Sequence, residues 1–171
     1  GAMKRQRTCS SRSTSSSGIG DGAVTFPTGF DWGTATAAHQ IEGGIVNNDW
    51  WEWEHRDGTL CAEPSGDACD SWNRWHEDVG IVAGLGLTSY RFSIEWSRIE
   101  PVRNQIDETA IQHYRDELEA LAAKGIRPLV TVHHFSNPVW VADPRDIVCS
   151  SGPSDTNLCG FGHPQGGPMI V

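Results

Sequence analysis

The hydrophobic positions along the chain switch between two periods, and the predicted elements follow from where each period starts and stops. Residues 26–36, FPTGFDWGTAT, read as a turn followed by a short strand. Pro27 and Gly29 punctuate it, and Phe30, Trp32 and Thr34 alternate with smaller residues. Residues 41–68 show no periodicity and contain Gly43-Gly44, Asn47-Asn48 and Pro64-Ser65-Gly66, which predicts a long, functional loop. Trp72, Trp75, Val79 and Val82 recur at spacings of 3, 4 and 3. They predict a helix over 70–83, capped by Asp70 or Ser71 and ended by Gly84 and Gly86. Residues 89–96 alternate strictly, with Tyr90, Phe92, Ile94 and Trp96 on one face and Arg91, Ser93 and Glu95 on the other, as a strand does. Asp107 opens a second helix with Ile111, Tyr114, Leu118 and Leu121 as its stripe and Gly125 just past its end. Residues 127–135, RPLVTVHHF, read as a third strand, largely apolar as buried parallel strands are.

This order of strand, loop, helix, strand, helix, strand predicts an α/β fold with parallel strands. Phe92 and Thr131 are 39 residues apart, the size of a βαβ unit. Past Val141 the pattern collapses: residues 142–171 hold five glycines and four prolines and no periodic apolar face.

Composition narrows the function classes. The chain has 171 residues, enough for one domain with a core. No stretch approaches the ~20 apolar residues of a membrane helix. The net charge of −9 argues against nucleic acid as a partner. Lys4, Arg5, Arg7 and Arg12 precede the first acid, Asp21, and residues 8–18 have almost nothing to bury. Residues 1–22 are therefore expected to form a disordered, basic, Ser-rich tail. No apolar run follows the basic start, so it does not read as a secretory signal. With five cysteines, an odd number, a reducing, cytoplasmic setting is expected. The eight tryptophans lean towards sugars, whose apolar faces stack on flat rings.

Cysteines and histidines offer little for a metal. No Cys-x-x-Cys pair occurs. Cys61 and Cys69 flank a Pro-Ser-Gly turn and form a disulfide candidate, the alternative being two small thiols. Cys149 and Cys159, the second-choice pair, bracket another Gly/Pro loop. His133 and His134 are adjacent on a strand and point to opposite faces, so they cannot share one ion. No metal site is expected. Residues 80–86 are rich in glycine but follow a helix, so they are a helix-ending turn and not a phosphate cradle. No G-x-S-x-G elbow exists.

In parallel α/β folds functional groups gather at the C-terminal ends of strands. Here those ends hold Ala38-His39-Gln40, Glu95-Trp96 and His133-His134-Phe135. Glutamine and neutral histidine each offer a donor and an acceptor together, which suits vicinal hydroxyls. Taken singly, Gln40 also reads as a surface amide and a strand-end histidine as a structural one.

Four motifs together resemble glycoside hydrolase family 1, the β-glucosidases and their relatives. They are Phe26-Pro-x-Gly-Phe-x-Trp-Gly-Thr-Ala-Thr-Ala-Ala-His-Gln-Ile-Glu-Gly43, Asn48-Asp-Trp-Trp51, Arg91-Phe-Ser-Ile-x-Trp-Ser-Arg-Ile-x-Pro101 and Thr131-Val-His-His-Phe-Ser-Asn-Pro138. The resemblance covers about residues 24–140 and implies a (β/α)8 TIM barrel of which this chain holds about three βα units. It implies retaining hydrolysis of β-glycosides by two glutamates, a nucleophile and an acid/base, with no cofactor. It places Gln40 and His134 on the hydroxyls of the sugar, Phe135 where many members carry Trp, and Arg91 beside the nucleophile.

The chain also departs from the family pattern. The acid/base belongs to a Thr-x-Asn-Glu-Pro segment and the nucleophile to an Ile/Val-Thr-Glu-Asn-Gly segment. Glu42, Glu52, Glu54, Glu95 and Glu100 match neither. The chain is thus expected to divide into the tail 1–22, a barrel part 23–140 and an irregular Gly/Pro-rich segment 141–171, as a truncation, a frameshift or an incomplete reading would give. Without both glutamates it is expected to be inactive alone. The alternatives are a sugar-binding remnant and a fragment with no activity of its own. Three strands leave two open edges, which predicts a partly folded, unstable or self-associating species.

Overall fold

The computed structural model describes residues 25–146 and 148–170. The chain divides into two units, Gly1–Phe30 and Asp31–Val171. Of the first unit, residues 25–30 are described. They form a turn in which the Phe30 amide donates to the Pro27 carbonyl at 3.0 Å and Gly29 adopts φ +82°. The segment expected to be disordered, 1–22, lies outside the described residues.

The second unit is built on a parallel sheet of three strands, β1 (Gly33–Ala35), β2 (Ser89–Ser93) and β3 (Arg127–Thr131), in the order β1-β2-β3. Gly33 pairs with Ser89, and Ser89 with Arg127. Helices α1 (Ala38–Ile41), α2 (Asp49–His55) and α3 (Ser71–Gly84) lie between β1 and β2. Helices α4 (Trp96–Ile99) and α5 (Glu108–Ala123) lie between β2 and β3. The sheet is open, with β1 and β3 as its edges.

Two long helices cover the sheet because their apolar stripes match it. Val79 and Val82 of α3 and Tyr114 and Leu121 of α5 meet Tyr90 and Phe92 of β2 in one buried cluster with Ile126. Burying each large side chain is worth about 2 kcal/mol. Helix α5 starts where Asp107 accepts the amides of Thr109 and Ala110 at 2.8 and 3.2 Å. Gly125 follows its end with φ +70°. The start of α3 differs from expectation. Asp70 holds a left-handed φ of +55° and makes no capping bond. Its carboxylate accepts from the Asn73 side chain instead, and the Ser71 hydroxyl donates to Asp78.

The strands are shorter than the alternation suggests. β1 excludes Phe30 and Trp32. β2 stops at Ser93 because Glu95 turns its carboxylate onto the Ser97 amide and caps α4, so Trp96 opens a helix. β3 stops at Thr131, and His133, His134 and Phe135 lie in the loop after it. The expected loop 41–68 contains a helix, α2. It is capped by Asn48, whose side-chain oxygen accepts the Trp51 amide at 2.8 Å.

Beyond Val141 two 3-10 turns form, Pro144–Asp146 and Gly167–Met169. Leu158 is fully buried against Trp140 and Val141. The disulfide joins Cys149 and Cys159, while Cys61 and Cys69 are free thiols. Of the two candidate pairs the second is bonded, and Cys61 and Cys69 take the alternative of two thiols. The loop between Cys149 and Cys159 folds back on itself through a Ser154–Asn157 bridge, which brings its two ends together.

Candidate functional site

The sheet places three loops at one end, and a polar network ties them together. At the end of β1, the Ala38 amide donates to the Ser93 hydroxyl at the end of β2, at 2.7 Å. This seats α1, so His39 is buried and Gln40 exposed. The His39 ring carries its proton on Nε2, which donates to Glu54 Oε1 at 3.1 Å. Its Nδ1 accepts from the Asn48 side-chain Nδ2 at 3.0 Å. Asn48 also donates to Glu95 Oε1 at 3.3 Å. Glu95 is fully buried and collects donors: the Ser97 hydroxyl at 2.7 Å on Oε1 and the Ser136 hydroxyl at 2.9 Å on Oε2. A buried carboxylate survives only when its lone pairs are filled in this way.

Helix α2 is clamped to the loop after β3. The Asn137 amide and side chain donate to the two Asp49 carboxylate oxygens at 2.9 and 2.7 Å, and the Asp49 amide donates back to the Asn137 carbonyl at 2.9 Å. Burial pushes the Asp49 carboxyl above its usual range against the pull of Asn137. Burial alone would raise the Glu54 carboxyl too, but the Ser65 amide and hydroxyl and the His39 ring outweigh it and hold it low.

The clamp turns aromatic rings towards each other. Phe135, with φ +53°, packs 5.0 Å from Trp50, 6.2 Å from His39 and 4.9 Å from His134. Trp50 and Trp53 then line a cleft of about 250 Å³ with Asp49 and Pro144. Phe135 thus packs on both its chain neighbour His134 and the buried His39, and Gln40 is the exposed residue that follows His39 in α1. Arg91 stands apart from this cluster. Its guanidinium donates to the Thr36 carbonyl at 2.7 Å, across from β2 to the end of β1.

The sequence names His39 and Glu95 at strand ends and offers Glu54 and Glu95 only as glutamates outside the catalytic motifs, while Asn48, Asp49 and Ser136 occur only inside motifs. The supporting bonds these residues make carry no local sequence signal. A second buried group lies on the helix side. Tyr114 donates to Glu42 Oε1 at 2.7 Å, and Arg98 donates to Glu42 Oε2 at 2.8 Å. Burial raises the Glu42 carboxyl to about 7 against both partners. Trp72 stacks on His113 with centroids 3.7 Å apart and carries Arg98 on its ring, so it is spent on packing. Among the described residues the cluster with metal-ligand geometry is Cys149, Cys159 and His163, outside this site.

The comparisons with known proteins converge. β-Glucosidase A of Thermotoga maritima is 41% identical over 120 residues, which are 66% of this chain and 27% of that protein. The cytosolic β-glucosidase of Homo sapiens is 37% identical over 129 residues, 70% of this chain and 28% of that protein. A solved β-glycosidase from Pyrococcus horikoshii superposes with a TM-score of 0.63 at 46% identity, over 67% of this chain and 27% of that one. The chain therefore spans about a quarter of the length of the curated relatives it matches. The model of the family described as glycosyl hydrolase family 1 matches residues 23–146, which include every residue of the network above, and the chain belongs to that family.

Proposed function

We propose that this chain carries the sugar-reading side of a retaining β-glycosidase site and that the reaction it serves is hydrolysis of O-glycosidic bonds in β-glycosides. The observation that carries the reading is the convergence of Phe135, His134, His39 and Trp50 where the loops after β1 and β3 meet, beside the exposed Gln40. Gln40 and His134 offer the paired donors and acceptors that sugar hydroxyls take, and Phe135 offers a flat apolar face. Arg91 is the cation for a nucleophilic carboxylate on another strand, which it would keep ionised. Neither glutamate motif is present in these 171 residues. The chain by itself accordingly binds a monosaccharide without turnover.

One assay tests this. The chain is incubated with an aryl β-glucoside, and glucose is titrated into it by calorimetry. Saturable heat without release of the aryl alcohol is the expected result, and it weakens about tenfold in Gln40→Ala, a loss of about 1.4 kcal/mol. Turnover by this chain overturns the division into a reading and a cleaving side. Absence of any sugar heat overturns the binding reading and leaves the segment as a piece of a barrel.

A further inference from the structure

The segment beyond the family match brings three soft or borderline donors together. The ligand atoms of Cys149, Cys159 and His163 lie within 4.8 Å of one another. Around a tetrahedral zinc-class ion, neighbouring donors stand about 3.5–4 Å apart, given bonds near 2.0–2.3 Å. Cys159 and His163 are three residues removed from adjacency, within the short spacing such sites favour. The disulfide closes this site, since each sulfur of an S–S bond has lost the thiolate charge a metal needs.

The positions of the three donors do not rest on the S–S bond alone. The Leu158 amide donates to the Trp140 carbonyl at 2.8 Å and the Gly160 amide to the Val141 carbonyl at 2.7 Å, so Cys159 is pinned on both sides. The Cys159 amide also donates to Asn157 Oδ1 at 2.9 Å. Cys149 is held by its amide on the Asp146 carbonyl at 2.9 Å and by the Gly152 amide on its own carbonyl at 3.0 Å. The turn carrying His163 is wound so tightly that a Cβ on Gly166 would meet the Leu158 carbonyl, and one on Gly167 the Phe161 carbonyl. His163 Nδ1 accepts the amides of Gln165 and Gly166 at 3.2 and 3.1 Å. These two bonds fix the orientation of the ring.

We propose that Cys149, Cys159 and His163 form a redox-gated metal site: oxidised, the two sulfurs are a disulfide; reduced, they and the imidazole bind a zinc-class divalent cation. The chemistry balances. A dithiol or phosphine reductant delivers two electrons, the S–S bond breaks and two protons complete the thiols. The ion then binds both sulfurs as thiolates, two protons leave, and water completes the coordination shell. Disulfide and metal are alternative states of the same two sulfurs, so each protects against the other. The site is independent of the glycosidase reading.

The test uses the whole chain with Cys9→Ser, Cys61→Ser and Cys69→Ser, which removes the other thiols. It is reduced with a phosphine without oxygen, freed of reductant and titrated with Co²⁺. The expected result is a thiolate-to-cobalt charge-transfer band with visible tetrahedral bands at one ion per chain, bleached by Zn²⁺. The oxidised chain gives none. His163→Ala weakens binding about tenfold or more, and Cys159→Ser abolishes it. As a second readout, Zn²⁺ shields two thiols of the reduced chain from a disulfide reagent. That readout holds even where a variant loses part of its fold. No cobalt band in the reduced chain, or a band that survives Cys159→Ser, overturns the proposal.

Discussion

Glu117 lies on α5 with only 7% of its surface exposed, lining a small space with Glu42, Thr36 and Tyr90. Burial, with the charges of Glu42 and Asp78 added, pushes its carboxyl up to about 8. In the unfolded chain a glutamate gives up its proton near its ordinary value of about 4.3. Between these values the folded state holds more protons than the unfolded one, so stability falls as pH rises from about 4.5 to 8. Glu42 acts in the same direction up to about 7. The urea midpoint is expected to drop between pH 5 and pH 8, and Glu117→Gln removes much of that drop. A variant as pH-sensitive as the parent refutes this. Gln40, His134, Phe135 and Arg91, the residues proposed to serve the sugar, were legible as members of recognisable motifs. Their supports were not: the roles of Asn48 and Glu95 depend on partners 9 to 47 residues away, which no local pattern records.

Among the elements, α3 and α5 were readable nearly to their ends, since each carries a clean apolar stripe over about four turns. α2 was not, because its seven residues, DWWEWEH, show aromatic rings without a stripe. Its stability comes from its first turn and from the clamp. Asn48→Ala removes the cap and leaves His39 and Glu95 short of a donor in a buried place. It is expected to cost about 2–4 kcal/mol. Asp107→Ala removes a cap that faces solvent and is expected to cost about 1 kcal/mol. Urea unfolding monitored by tryptophan fluorescence separates the two, and equal losses contradict the network. The alternation that predicted a strand through Trp96 failed for a related reason. Period 2 persists across Glu95 and Trp96, but the carboxylate bonds forward to Ser97 and turns the chain.

For the whole molecule, the parallel sheet and its two crossovers followed from the order of periods, while the disulfide partner did not, since spacing alone leaves the pairing open. Among the described residues no helix is long and apolar enough to cross a membrane. Among the described residues nothing pairs with the outer edges of β1 and β3, and after β3 the apolar Val132 is 71% exposed beside half-exposed Leu129 and Val130. Edges of this kind pair with other chains unless charge prevents it. Sedimentation is expected to show a mass that rises with concentration above the 18.7 kDa of one chain. Val132→Lys lowers that association by placing a charge next to the β3 edge. A monodisperse monomer in the parent chain at high concentration rules this out.

The clamp between Asp49 and Asn137 spans 88 residues of sequence. Closing so long a stretch costs roughly 4 kcal/mol of chain entropy when nothing else has formed. The Asp107 cap joins residues two and three apart and forms at once. The clamp is therefore expected to close after the sheet and its helices have shortened the effective path, and to reopen before the sheet does. Folding time, as well as geometry, then sets the clamped end of the sheet apart from its scaffold. The Asn137 amide, bonded to Asp49, should exchange its hydrogen faster than amides in β2. A ligand bound at the clamped end, as proposed above, would then stabilise the last step of folding more than the first.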